Sequence, residues 1–182
     1  GYAGENRINA AALLRDGILQ SAPDLDGRYF QCVDTVIGKM SGVFTDAAEI
    51  ADRKLAPVTD GSSRAFLVEE YNRIFISRIQ GTGFARGLKI FTEKDDLLPF
   101  EEAKLFGHNA VHAALGYLLR LRGAKRMNEA GAPGDKLFAM AREALEDESG
   151  AALCRKYAGT DELFTEHGYR SYAEDLLDRM VN

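Results

Sequence analysis

The chain has 182 residues and a formal net charge of −5, and 46% of its residues are hydrophobic and 28% charged. This composition is typical of a folded globular protein and excludes an intrinsically disordered chain. Its basic residues are scattered, so we predict no nucleic-acid partner. The longest uncharged stretch, 105–119, is shorter than the roughly 20 residues that cross a bilayer, so we also predict no membrane association.

The ends and the cysteines of the chain suggest its origin. Cys32 and Cys154 form no CxxC motif, and two reduced thiols are expected of a cytoplasmic protein. The sequence opens on Gly1 without an initiator methionine and stops just after an amphipathic run. We therefore expect a piece of a longer cytoplasmic protein.

The first half of the sequence combines a helix with several strands. The apolar spacing over 9–20 predicts a helix with Asn9 as its cap and with Leu13, Leu14 and Ile18 on one side. β-Branched and aromatic residues predict strands at 29–33, 66–68, 73–79 and 88–92. A helix over 68–79 is an alternative to the third strand, and 47–56 is either a short helix or irregular.

The second half is predicted to be entirely helical. Pro99 suits a first helical turn, and Gly123 ends that helix after about residue 122. Asp135 is predicted to cap a helix to about residue 148, and further helices follow at 149–157 and 165–180. The sequence therefore predicts an α+β, predominantly helical chain with a boundary near Asp95 and domains at 1–95 and 96–182.

The last predicted helix carries an apolar stripe at helical spacing. Its members are Tyr169, Tyr172, Leu176 and Met180. Such a stripe predicts core packing and not a cofactor site.

The chemistry is concentrated on one stripe of the helix that follows Pro99. At 100° per residue, Lys104, His108, His112 and Asn109 fall within an arc of about 140° on an otherwise apolar helix. Burial lowers the pKa of a lysine, and a lysine near neutrality can act as a general base. An amide and an imidazole can hold a carbonyl or alkoxide oxygen. The set therefore suits removal of a proton from an alcohol.

Two other readings of this stripe remain open. In a non-catalytic helical interaction domain, Lys104 would be solvated and the other polar groups would satisfy backbone atoms. In a metal-dependent enzyme, His108 and His112 would form a two-histidine ligand pair, although a third ligand cannot be located. We predict that the site contains no metal.

The pattern Lys104-x4-Asn109-x2-His112, followed by Gly116-Tyr117-Leu118, resembles the signature of the polyol-specific long-chain dehydrogenases. The segment 99–106 is most similar to the mannitol-1-phosphate 5-dehydrogenase branch of that family. Weaker similarity, in the right order, continues at 5–9, 32–40 and 144–157, whereas 45–87 is similar only loosely.

The resemblance implies a role for each motif residue. Lys104 would be the general base, Asn109 would polarise the reacting oxygen, and His112 would position the substrate. Asp34 stands where the free-polyol branch carries a second substrate-binding asparagine. An ionised carboxylate there would repel an alkoxide, which either marks the sugar-phosphate branch or means that the oxyanion site has one amide. Asn6 resembles a residue near the cofactor.

The resemblance also implies the fold, the reaction and the cofactor. Residues 1–95 would be the C-terminal part of a dinucleotide-binding domain, and 96–182 a truncated helical domain similar to the C-terminal domain of 6-phosphogluconate-dehydrogenase-like enzymes. The reaction would be the reversible oxidation by NAD of mannitol 1-phosphate, or of a similar hexitol or hexitol phosphate, to the ketose. The choice between NAD and NADP and the oligomeric state stay open.

The family's glycine-rich dinucleotide fingerprint has no counterpart in the sequence. Gly81, Gly83 and Gly87 have GxGxxxG spacing and precede a predicted strand, so we interpret them as a tight loop. We therefore expect the isolated chain to bind NAD poorly and to have no measurable turnover.

Overall fold

A computed structural model describes residues 1–4, 7–28, 30–70, 73–81, 83–84, 87–130 and 134–181. The chain divides into two compact units, Gly1–Asp95 and Asp96–Asn182. The fold is mixed α/β, with about half of the residues helical and a small sheet. In the described part of the chain, no helix is both long and apolar enough to cross a membrane.

The first unit contains the strands. Its elements are β1 (Tyr2–Ala3), α1 (Ala10–Ser21), β2 (Val33–Val36), β3 (Ser41–Phe44), α2 (Ala47–Asp52), β4 (Ala65–Val68), β5 (Ile74–Ser77) and β6 (Phe91–Lys94). Four strands form a sheet in the order β1-β2-β5-β6, and β3 pairs with β4 in a separate antiparallel ribbon. Strands β1 and β2 are parallel, β2 and β5 antiparallel, and β5 and β6 parallel.

Helix α1 joins the two parallel strands β1 and β2, as a crossover between parallel strands requires. Small residues make its buried contact, because Ala10 and Ala11 pack with Ala3 of β1. Leu13 and Leu14 are 48% and 44% exposed. The predicted helix is confirmed with its bounds shifted by one residue, and its buried face is made by alanines.

The cap predicted for α1 is wrong. Asn9 has a left-handed backbone, with φ of 59°, and its side chain makes no capping hydrogen bond. Instead, the Ala11 N–H donates to Oδ1 of Asp34 in β2 at 2.8 Å. A carboxylate from a neighbouring strand therefore satisfies a first-turn donor of α1, which a local sequence pattern does not reveal.

The bounds of the strands depend more on the strands they pair with than on their own residue types. The strand predicted at 29–33 begins only at Val33, and Tyr29 lies outside the described residues. The 73–79 strand is confirmed as β5, and its helical alternative is wrong. The strand predicted at 88–92 lies later, at Phe91–Lys94, where the parallel register pairs Ile74 with Phe91.

The second unit is helical in its described residues. Its elements are α3 (Leu98–Glu102), a π-helical segment (Ala103–Asn109), α4 (Ala110–Leu121), a 3₁₀ turn (Met127–Ala130), α5 (Lys136–Glu143), a second π-helical segment (Ala144–Gly150), α6 (Ala151–Lys156), a 3₁₀ turn (Glu162–Phe164) and α7 (Glu166–Val181). The two π-helical segments are called here the first and the second π turn, and they pack against each other.

Two long helices each contain one π turn. The helix predicted from Pro99 runs through α3, the first π turn and α4, and Gly123 follows it with a φ of 88°. Asp135 caps α5 as predicted, because its Oδ1 accepts from the Leu137 and Phe138 N–H groups. The break predicted between 148 and 149 is wrong, since the second π turn continues without interruption into α6.

The stripe predicted on the last helix is core. Tyr169, Leu176 and Met180 of α7 are 2%, 1% and 4% exposed, and Tyr172 is half-buried. Tyr169 and Tyr172 meet edge to face with ring centroids 5.5 Å apart. Helix α7 therefore packs along one face of the second unit, with aromatic rings at its N-terminal end.

We expect Asp34→Ala to lower the free energy of unfolding of the first unit by about 1 kcal/mol, because loss of a capping acceptor leaves a helix donor unsatisfied. Asp34→Asn keeps an acceptor oxygen and should cost less. Amide hydrogen exchange across α1 measures the effect, with the exposed Asp24→Ala as the control. Equal protection of the Ala11 amide in the wild type and in Asp34→Ala would contradict the cap.

We expect the second unit to lose stability in acid through Glu102. Its carboxylate accepts from Lys156 Nζ at 2.7 Å, and this hydrogen bond lowers the pKa of Glu102 below its ordinary value. The contribution is complete above the ordinary pKa of glutamate and disappears as the pH falls through the lowered one. In Glu102→Gln, the free energy of unfolding should therefore fall less steeply as the pH is lowered. Denaturant unfolding from pH 7 to pH 3 tests this, with the exposed Glu174→Gln as the control expected to keep the wild-type slope.

Candidate functional site

The first π turn positions the motif predicted from the sequence. Its geometry is visible at its end, where the Ala110 N–H donates to the Leu105 carbonyl five residues back and also to Gly107. A π-helix has about 4.4 residues per turn, or roughly 80° per residue. Asn109 therefore lies about 50° from Lys104, and not the 140° expected of an α-helix.

The π turn also brings His112 closer to Lys104. Continuing from Asn109 at 100° per residue puts His112 at roughly −10°, so the three motif residues span about 60° of the helix surface. All three are half-buried, at the border between the buried and the exposed faces of the helix. The buried face includes Val111 and Leu115, and Tyr117 on the opposite face is 73% exposed. The motif is therefore in contact with solvent.

Lys104 is a half-buried ammonium group. Burial lowers the pKa of Lys104 below its ordinary value. Among the residues that the structure describes, no carboxylate forms an ion pair with its Nζ. A lysine in this state is more readily deprotonated than a solvated one, which is the property a general base needs.

His108 occupies a different environment from the other three motif residues. It is 6% exposed, on the core side of the helix, and its ring meets that of His112 edge to face with centroids 6.0 Å apart. No group of three or more His, Cys, Asp or Glu side chains that could hold a metal ion occurs within the described ranges. The two histidines are therefore neighbours, and the described residues do not complete a three-ligand set around them.

Sequence reasoning missed the residues that surround the first π turn. Tyr169 of α7 lies against Gly107 in the first π turn and against Gly150 in the second. Burial raises the pKa of Tyr169 to about 12. The available signal was a glycine inside each predicted helical region, since an interior helix glycine is costly unless something approaches its backbone closely.

The other two predicted site residues belong to the first unit. The Asp34 carboxylate is the acceptor for the first turn of α1, and its predicted role in substrate binding stays a prediction. Asn6, predicted near the cofactor, lies outside the described residues. The structure therefore places Lys104, Asn109 and His112 together on one helix and Asp34 on a strand of the other unit.

The dinucleotide implied by the resemblance needs a site for its pyrophosphate. Such a site combines a glycine-rich turn after a parallel strand with the free N–H groups of the following helix. Helix α1 follows the parallel strand β1, but its Ala11 N–H already binds the Asp34 carboxylate. An anion at this position repels a phosphate, so these residues do not fit the pyrophosphate of NAD.

No known family model matches the sequence. The candidate site therefore depends on the geometry and burial of its own residues.

We expect Lys104 to titrate below the ordinary range of lysine, because burial disfavours its charged form. NMR titration of the protein carrying ¹³C-labelled dimethyl-lysine side chains would show one low-titrating resonance, and Lys104→Arg should remove it. The exposed Lys125→Arg is the control and should leave it in place. A low-titrating resonance that survives in Lys104→Arg would contradict the assignment.

Proposed function

We propose that the chain is part of an oxidoreductase that interconverts a hydroxyl and a carbonyl group of a polyol. The proposed reaction is the reversible, NAD-dependent oxidation of mannitol 1-phosphate, or of a similar hexitol or hexitol phosphate, to the ketose. Because the first turn of α1 does not fit the NAD pyrophosphate, residues other than those of this turn would bind the cofactor. The observation that carries the proposal is Lys104, an amine with a burial-lowered pKa that shares one side of the helix with Asn109 at the end of the π turn and with His112 in the first turn of α4. The substrate class comes from the resemblance of this motif and its flanks to the polyol-specific long-chain dehydrogenases.

The helical unit would contribute proton transfer and stabilisation of the reacting oxygen. The neutral Lys104 amine would accept the proton of the substrate hydroxyl, and the proton would stay on Nζ as an ammonium. Bound NAD would supply the acceptor for the hydride that leaves the carbon bearing this hydroxyl. The Asn109 amide N–H donates a hydrogen bond to the oxygen as it gains negative charge. His112 would hold the same oxygen or a neighbouring hydroxyl group. In the reverse direction, the Lys104 ammonium returns the proton to the oxygen.

Partial burial favours this reading over a non-catalytic interaction domain. An interaction surface would leave the Lys104 ammonium in water, where burial would not shift its pKa. Retaining a half-buried lysine that has no ion-pair partner among the described residues costs free energy, and such costs concentrate at functional sites. We therefore propose a catalytic role for Lys104, with a polyol as the small-molecule partner that the resemblance implies.

Kinetics of the full-length natural protein test the proposal. We expect mannitol 1-phosphate with NAD to be turned over, and Lys104→Ala to lower kcat by about 10²- to 10⁴-fold, the range for loss of a general base. Added methylamine should restore part of the lost rate, because a free amine can occupy the space of the missing side chain. The exposed Lys125→Ala is the matched control and should keep the wild-type rate.

Two results would overturn the proposal. One is a Lys104→Ala variant that stays folded and keeps wild-type kcat on its best substrate. The other is the absence of turnover by the wild-type protein across hexitols, hexitol phosphates and their ketoses with either nicotinamide cofactor.

A further inference from the structure

The side chain of Tyr169 lies between two glycines, one in each π turn. A Cβ atom on Gly107 would come 2.7 Å from the Tyr169 hydroxyl oxygen, and one on Gly150 would come 2.7 Å from ring carbon Cε1. Both distances are shorter than real carbon contacts allow, so a side chain at Gly107 would displace the ring, and a side chain at Gly150 would meet both the ring and, at 2.8 Å, the backbone oxygen of Leu145. The ring therefore occupies the space that the two missing side chains leave.

The contact with Gly107 lies inside the segment whose geometry decides the site. The first π turn holds more residues per turn than the α-helices on either side, about 4.4 against 3.6, which is a rare arrangement. Ala103, Lys104 and Leu105 favour an α-helix, and Gly107 weakens that preference, but a low α-helix propensity does not by itself select a π geometry. A packing contact from outside the segment must stabilise it, and Tyr169 makes such a contact near its middle.

We propose that Tyr169 is a positioning residue that holds the first π turn in place and so keeps the amine of Lys104 and the amide of Asn109 on one side of the helix. The role of Lys104 as a base rests on the proposed function. The dependence of the π turn on Tyr169 does not, because it follows from the contacts of Gly107 and Gly150 alone.

The hydrogen bond of the Ala110 amide reports the geometry directly. In the π turn this N–H donates to the Leu105 carbonyl, whereas an α-helix would give it the Phe106 carbonyl. NMR couplings across hydrogen bonds distinguish the two carbonyls, and the titration midpoint of Lys104 gives a second readout. We expect Tyr169→Ala to transfer the bond to Phe106 and to move the Lys104 midpoint away from its wild-type value.

A pair of variants tests the contact even if Tyr169→Ala fails to fold. Gly107→Ala introduces a methyl group 2.7 Å from the tyrosine hydroxyl oxygen, so it should disturb the Ala110 bond and the Lys104 midpoint. The same methyl group would lie 3.9 Å from ring carbon Cζ, an ordinary contact. Tyr169→Phe removes only the hydroxyl, so this single variant should keep both readouts at their wild-type values. In the double variant, Tyr169→Phe should restore the readouts that Gly107→Ala disturbs.

Leu176→Ala separates positioning from general destabilisation. Leu176 is fully buried on the same helix two turns beyond Tyr169, so its loss should lower stability while both readouts stay at wild-type values. The inference is overturned if Gly107→Ala keeps the Leu105 bond, or if Tyr169→Phe fails to rescue it. If Gly107→Ala disturbs the Leu105 bond, Tyr169→Phe restores it, and the full-length Lys104→Ala protein keeps its turnover, then Tyr169 holds the turn and the proposed function is wrong.

Discussion

The helical unit depends on a close approach between two long helices, each of which contains a π turn and a glycine. Gly107 and Gly150 leave room for the ring of Tyr169, and the first π turn also carries Lys104 and Asn109. The same packing contact that joins the helices therefore sets the direction of the polar groups. π Turns are rare but frequently occur at functional sites, where one extra residue rotates the side chains that follow it.

Charge pairing distinguishes Lys104 from other ionised groups of the same unit. Glu102 binds Lys156 at 2.7 Å, and Asp135 binds Arg122 at 2.6 Å while it caps α5. These pairs hold helices at their ends and are satisfied within the unit. Lys104 is half-buried and forms no such ion pair among the described residues, so its amine can act as a base toward a ligand.

In the first unit, the candidate site residue Asp34 has a structural role. Asp34 lies on β2, and its carboxylate caps α1 by accepting a hydrogen bond from the Ala11 N–H. This bond joins β2 to α1. Thr35 on the same strand donates its hydroxyl to the Ala3 carbonyl at 2.8 Å. Two polar side chains of β2 therefore support the βαβ arrangement, whose buried apolar cluster is small: Ala3, Ala10 and Ala11, with Cys32 packed against them.

Local chemistry in the sequence determined the mixed first half, the helical second half, the Asp135 cap, the end of α4 near Gly123 and the buried stripe of α7. These features depend on neighbouring residues and on regular spacing, which a sequence displays directly. Only the tertiary structure decided that Asp34 caps α1, that β6 starts at Phe91, and that the motif turns as a π-helix. Each of those depends on a partner far along the chain, as Tyr169 is from Gly107, and a spacing of 100° per residue assumes that no such partner alters the helix.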